Sequence, residues 1–240
     1  MTTSPETAGR ARDTADPTRF RVAVALAAVW VVAPLVLAAA RWPRYWIWLA
    51  QEESPMTWLE SVVLVLCAAT CLLVAYVTRL SSGTFPGPRL RNPATAWALL
   101  ALGFAGLAFD ERFSVHERLR DGYLAPRGIR FPFLPWVAPG DFLLVIVAVV
   151  GLAMLPLVWR CFRGDRLAVL LMLSGIGLAL VAVAFDSIDP STWTVGQERV
   201  QQSLEEVVEL GSGLAFLGAT VVRLLDLLRP RSALRERAPA

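Results

Sequence analysis

The chain has 240 residues, of which 56% are hydrophobic and 18% charged, against about 25% charged in an ordinary soluble protein, and its mean hydropathy is +0.54. These figures exclude disordered, coiled-coil and collagen-like classes and point to a membrane protein, with the charges gathered between long apolar runs. The net charge of +3 then reads as a topology signal and gives no reason to expect a nucleic-acid partner.

Residues 1–19 precede the first apolar run and are expected to form a disordered cytoplasmic tail. A hydrocarbon core of about 30 Å needs about 20 helical residues. Six segments approach that length: 22–40, 56–78, 94–109, 142–159, 167–185 and 203–222. Each is continuously apolar instead of alternating, so the expected fold class is all-α, a polytopic bundle of six transmembrane helices over residues 20–226. The first run exceeds the roughly 7–15 apolar residues of a signal peptide and is expected to be retained. A second cytoplasmic tail is expected over 227–240.

Arginine sets the orientation. All 23 basic residues are Arg. Fifteen of them fall in alternate segments: Arg10, Arg12, Arg19 and Arg21; Arg79, Arg89 and Arg91; Arg160, Arg163 and Arg166; and Arg223, Arg229, Arg231, Arg235 and Arg237. The positive-inside rule places those segments, and both termini, in the cytoplasm. The plasma membrane is the expected location. Six of the nine Trp (Trp42, Trp46, Trp48, Trp58, Trp136 and Trp193) fall on the opposite side, as an aromatic belt at the headgroups would.

Of the 20 Asp and Glu, 14 lie outside or in the outer half of the helices. Topology rules do not require this. Ser54 and Pro55 read as an N-cap and first helical residue, putting Glu60 more than a turn inside the second span. The third span is short, so Asp110 is held at or just below the headgroups. If that helix continued, Asp110, Ser114 and Glu117 would share a face, with His116 turned about 100° from Glu117.

The sixth span gives the sharpest constraint. Arg223 marks its inner end, and 210–222 is too short to cross alone. Completing the span draws Glu205, Glu206 and Glu209 into the membrane. Glu209 sits about 21 Å from Arg223 along the helix, roughly 9 Å below the outer boundary. Glu198, Gln202, Glu205 and Glu209 form one stripe, and Gly211, Ser212 and Gly213 permit close approach of a neighbour.

Ionisable residues at such depth usually face the bundle interior and mark a site. The expected pocket is lined by Glu60, Asp110, Glu111, His116, Glu117, Asp186, Glu205, Glu206 and Glu209. So many carboxylates require either a cation among them or protons on some of them. Oxygen ligands favour Mg²⁺, Mn²⁺ or Ca²⁺, and the single His also admits Zn²⁺ or iron. Glu60, Asp110, Glu117, Glu206 and Glu209 are the expected ligands of a divalent cation, with His116 or Glu111 as the general acid/base. The bland alternative pairs these acids with Arg112, Arg118, Arg120, Arg127, Arg130 and Arg199; loop acids such as Glu52, Glu53, Asp121 and Asp189 fit it better than the deep ones. Cys67 and Cys71, four apart in an apolar run, read as packing residues. The loop from Asp110 to Asp141 ends in the Pro-rich run 131–136, a candidate lid over the pocket.

The motifs Glu53 to Glu60, Asp110-Glu111 through His116-Glu117, and Glu205-Glu206 to Glu209 resemble a group of uncharacterised bacterial multi-pass membrane proteins. These are similar in carrying an Asp-Glu, four residues, His-Glu signature at a helix end. The resemblance implies a site and no particular chemistry. The leading expectation is a membrane enzyme that hydrolyses a lipid or amphiphile at the outer leaflet, with a cation activating water. A second enzyme reading resembles integral-membrane terpene cyclases, in which protonated carboxylic acids start the reaction. A cation- or proton-coupled transporter and a non-catalytic assembly partner are the remaining classes. The oligomeric state is left open.

Overall fold

The computed structural model describes residues 17–51, 53–82, 92–133, 137, 139–140, 142–188 and 193–229. Both expected tails beyond those limits, the loop acids Glu52, Asp141 and Asp189, the arginines Arg89 and Arg91, and Trp136 of the candidate lid lie outside the described residues. Among the described residues there are helices and no strands. In chain order they are α1 (Pro17–Ala40), α2 (Trp46–Leu49), α3 (Pro55–Ser82), α4 (Pro93–Phe113), α5 (Val115–Leu119), α6 (Phe142–Ala153), α7 (Leu155–Phe162), α8 (Arg166–Asp186) and α9 (Val195–Leu228). Five of these (α1, α3, α4, α8 and α9) are long and apolar enough to cross a membrane, and the count is six if the bent pair α6 and α7 is one span. The molecule is an all-helical polytopic membrane bundle.

Helix ends follow local chemistry. The Ser54 hydroxyl accepts from the N–H groups of Met56 and Thr57 at 3.1 and 3.3 Å, starting α3 beside Pro55. Asn92 caps α4 through Ala94 N–H at 3.0 Å, with Pro93 at the first helical position. Thr194 and Gln197 form a reciprocal capping box at α9. That cap lies nine residues before the apolar stretch expected from 203, so the acidic stripe of Glu198, Glu205 and Glu209 belongs to one continuous helix.

The fourth span departs from a straight rod. Pro156 has no N–H to give, and its ring crowds the carbonyl four residues back. The helix therefore breaks at Met154 and bends by 49°. The piece on the Arg19 side, α7, packs against α4, whereas α6, on the side of the acids, leans on α8.

Helix α9 is the central post, packed against α8, α3, α1 and α2. Small residues make this possible. A Cβ at Gly211 would stand 2.6 Å from the Trp30 indole of α1, so only glycine admits that contact. The same indole donates to the Val207 carbonyl at 2.7 Å. Ser212 donates to the Gly175 carbonyl of α8 at 3.0 Å, and the Cys67 thiol points to the Gly213 carbonyl at 3.6 Å. Cys67 and Cys71 are fully buried in the core, as packing residues should be.

Two polar features mark opposite ends of the bundle. At one end Arg19 of α1 forms a buried ion pair with Asp165, whose carboxylate also caps α8 through Ala168 N–H at 3.1 Å. At the other end gather the acids of α3, α4, α8 and α9.

Candidate carboxylate site

Glu60 projects from α3 a turn and a half below its Ser54 cap and is only 4% exposed. Glu111 comes from the last turn of α4. Glu206 and Glu209, three apart on α9, share a face of that helix. One carboxylate oxygen from each of these four residues lies within 4.8 Å of the others. Three separate helices thus converge on one point. Neither oxygen of Glu60 accepts a hydrogen bond from any donor among the described residues. Its polar surroundings are other carboxylates.

Beside this group stands a second one. Helix α4 stops at Phe113 because Ser114 adopts a left-handed conformation (φ 46°, ψ 47°), which few residues other than glycine take up without strain. The reversal ends the shared face expected for Asp110, Ser114 and Glu117, and folds His116 back onto Asp110. His116 N–H donates to Asp110 Oδ1 at 2.9 Å, and its Nδ1 meets Oδ2 at 2.7 Å. Its Nε2 is directed to Glu117 Oε1 at 3.9 Å. Burial disfavours the imidazolium, but the hydrogen bond and charge of Asp110, then the charges of Glu117 and Asp186, outweigh it and raise the His116 pKa above its ordinary value.

A third layer ties α9 to α8. Gln201 donates from Nε2 both to the Glu205 carboxylate at 2.9 Å and to the Phe185 carbonyl at 3.0 Å, next to Asp186.

The structure therefore sorts the residues singled out from sequence. All of them, Glu60, Asp110, Glu111, His116, Glu117, Glu206 and Glu209, line one cavity of about 440 Å³. Within it Glu60, Glu206 and Glu209 are joined by Glu111, while Asp110 and Glu117 stand around His116. The roll of α4 brings Glu111, the other candidate proton-transfer group, to the other glutamates. No local pattern announces the left-handed turn at Ser114. The link through Gln201 escapes the sequence because a neutral amide carries no charge signal.

The outer arginines find partners elsewhere. Arg118 pairs with Glu53 at 3.6 Å and Arg120 with Asp121 at 2.8 Å. Arg127 lies 3.9 Å over Tyr123, and Arg199 lies 4.1 Å over Trp46. No Arg lines the cavity, and His116 is its one basic side chain among the described residues. A family model for a domain of unknown function (DUF8692) matches residues 22–224. The chain belongs to that family. No curated protein and no solved structure matches it. The match takes in Glu60, Glu111, Glu206 and Glu209, so the site lies inside the family's own domain.

Proposed function

We propose that this member of the family is a multi-pass membrane hydrolase whose four convergent glutamates hold a divalent cation. The observation that carries this reading is Glu60: a buried carboxylate with no donor to either oxygen, facing three more carboxylates. Burying a charge without a partner is costly, and a cation is the simplest partner for four acids at once. All-oxygen donors suit Mg²⁺, Mn²⁺ or Ca²⁺.

Such an ion supplies a polarised water near neutral pH. The chain's own residues do the rest. Asp110 fixes the His116 ring through Nδ1, leaving Nε2 on the cavity side to take or give a proton. Glu117 stands next to that nitrogen, and the Gln201–Glu205 link steadies the upper turns of α9. Asp110 and Glu117 then serve the proton-transfer group, and Glu111 serves the cation. The substrate class proposed is a lipid or amphiphile, since the cavity lies among membrane-spanning helices. The arginine distribution supports cytoplasmic termini, a plasma-membrane location and a site on the outer face.

The test is cation binding by the purified full chain, read by calorimetry with Mn²⁺ and Ca²⁺ and by metal analysis. One divalent cation per chain is expected, with binding abolished in Glu60→Gln and Glu209→Gln. A wild-type protein that binds neither ion, or that turns over substrate after complete metal removal, overturns the reading. In the second case a proton-donating carboxylic acid, the alternative enzyme reading, becomes the better account of Glu60.

A further inference from the structure

The cavity does not end at the carboxylates. It runs down between α4 and the bent fourth span, reaching Leu99 on α4 and Phe216 on α9. Leu99 is eleven residues below Asp110, and Phe216 is eleven beyond Glu205, each a depth of about 16 Å at 1.5 Å per residue. One leaflet of hydrocarbon is about 15 Å thick, half of a 30 Å core. The cleft is as deep as a leaflet.

It is also open sideways. The bend at Pro156 keeps α7 against α4 but sends α6 toward α8, so the outer halves of the third and fourth spans part. Lining residues along this gap remain exposed: Leu107 is 38%, Val147 46% and Val150 55% accessible. A Cβ placed on Gly103 of α4 or Gly151 of α6 would meet no atom within 4 Å. Neither glycine is needed for helix packing, and both leave room in the walls. A second apolar groove, between α1 and α3 at Val32, Val36 and Trp58, has no polar residue in its lining. Bulk lipid accounts for that one. Of these two, the α4–α6 cleft joins an apolar trough to a polar terminus.

We propose that this cleft takes the hydrocarbon chain of a single-chain amphiphile with an uncharged, oxygen-bearing head, drawn sideways from the leaflet and delivered to the four glutamates. The choice of head rests on the reading above, that the glutamates hold a cation. Four carboxylates around one divalent ion leave excess negative charge, and no Arg lines the cavity to receive a phosphate. An anionic head would be repelled at close range in a medium of low dielectric constant. An amide, ester or hydroxyl oxygen instead completes the shell of a cation that takes six or more oxygen ligands.

The experiment uses the full chain in lipid nanodiscs with a palmitoyl ethanolamide carrying a diazirine at its chain end, followed by peptide mapping. Labelling is expected in peptides spanning 99–107 and 147–152, competed by unlabelled palmitoyl ethanolamide and not by palmitoyl lysophosphatidate. Gly103→Leu and Gly151→Leu fill the trough and should each lower that labelling at least about tenfold, leaving labelling of the α1–α3 groove and Mn²⁺ binding as in wild type. Equal labelling of both grooves, indifference to both glycine variants, or equal competition by the anionic amphiphile overturns the inference. Mn²⁺ binding on the same samples separates the two claims. Bound metal with unselective labelling removes the cleft and keeps the cation site; selective labelling without metal removes the cation site and keeps the cleft.

Discussion

The two ends of the bundle bury charge in opposite ways. At the Arg19 end, a guanidinium and the Asp165 carboxylate neutralise each other, and the same carboxylate caps α8. At the glutamate end, four carboxylates converge from three helices with no Arg in the lining among the described residues, and the polar neighbours of Glu60 there are other carboxyl groups. The first arrangement carries its counter-charge within the fold, although the Arg19 Nε has no partner among the described residues. The second, on the reading proposed here, is completed by a cation. Buried charge with its counter-charge built in holds helices together, whereas buried charge of one sign defines a place for a ligand.

The sharpest way to break the contrast is to leave the paired end unpaired. Asp165→Ala strands Arg19 in a buried setting and removes the α8 cap, and should cost about 3–5 kcal/mol in a reversible unfolding assay. Replacing both partners, as Arg19→Met with Asp165→Leu, should recover much of that loss, since no lone charge remains. If the single and double variants are equally unstable, the pair does not work by mutual neutralisation.

At the glutamate end the same operation should have a different sign. Glu60→Gln removes one of four like charges, so in chelator it should melt no lower than wild type. With cation at a hundred times its Kd, wild type should gain about 2.7 kcal/mol of apparent stability, and Glu60→Gln should gain nothing. A wild-type melting curve unmoved by Mn²⁺ and Ca²⁺ would place the two ends in one class after all.

Between these ends lies the small-residue seam. Gly211→Leu drives a side chain into the Trp30 indole and breaks the approach that lets Trp30 donate to Val207. A loss of about 1–3 kcal/mol is expected, with cation binding retained in the fraction that stays folded. A variant that keeps full stability and loses the cation would mean that α1 tunes the site rather than the packing.

How much of this could be read beforehand depends on what each feature rests on. The spans rest on length and apolarity, which are one-dimensional, and the run of 210–222 already forces Glu205, Glu206 and Glu209 into the membrane. The α9 cap, Thr194 with Gln197 three residues on, is missed by a count of apolar residues, which begins that span at 203. The bend needed only Pro156, although a length count alone renders the segment as one straight span. The membership of the cluster was not legible. Whether Asp110 or Glu111 meets Glu60 depends on the roll of α4 about its axis, set by Trp97, Leu100 and Phe104 in the core. The pairing of Asp110 with His116 depends on a left-handed serine, a conformation for which serine carries no sequence signature.

The smallest expected effect concerns that pairing, and a property of the composition makes it accessible. His116 is the one histidine in the chain, so selective imidazole labelling gives a single titration curve by NMR. With Asp110 accepting from its ring and Glu117 and Asp186 nearby, the midpoint should lie above the usual value of about 6.5. In Asp110→Asn the largest supporting charge is gone while burial remains, so the midpoint should fall. The sign for stability follows from the direction of the shift. A raised folded-state pKa contributes stability that is complete below about pH 6.5 and is lost as pH rises through the folded value, so the wild-type advantage over Asp110→Asn should shrink on the alkaline side. Were the His116 midpoint the same in both proteins, Asp110 would be serving as a backbone cap for α5 alone. The proton-transfer role assigned to the imidazole would then lose the partner that orients it.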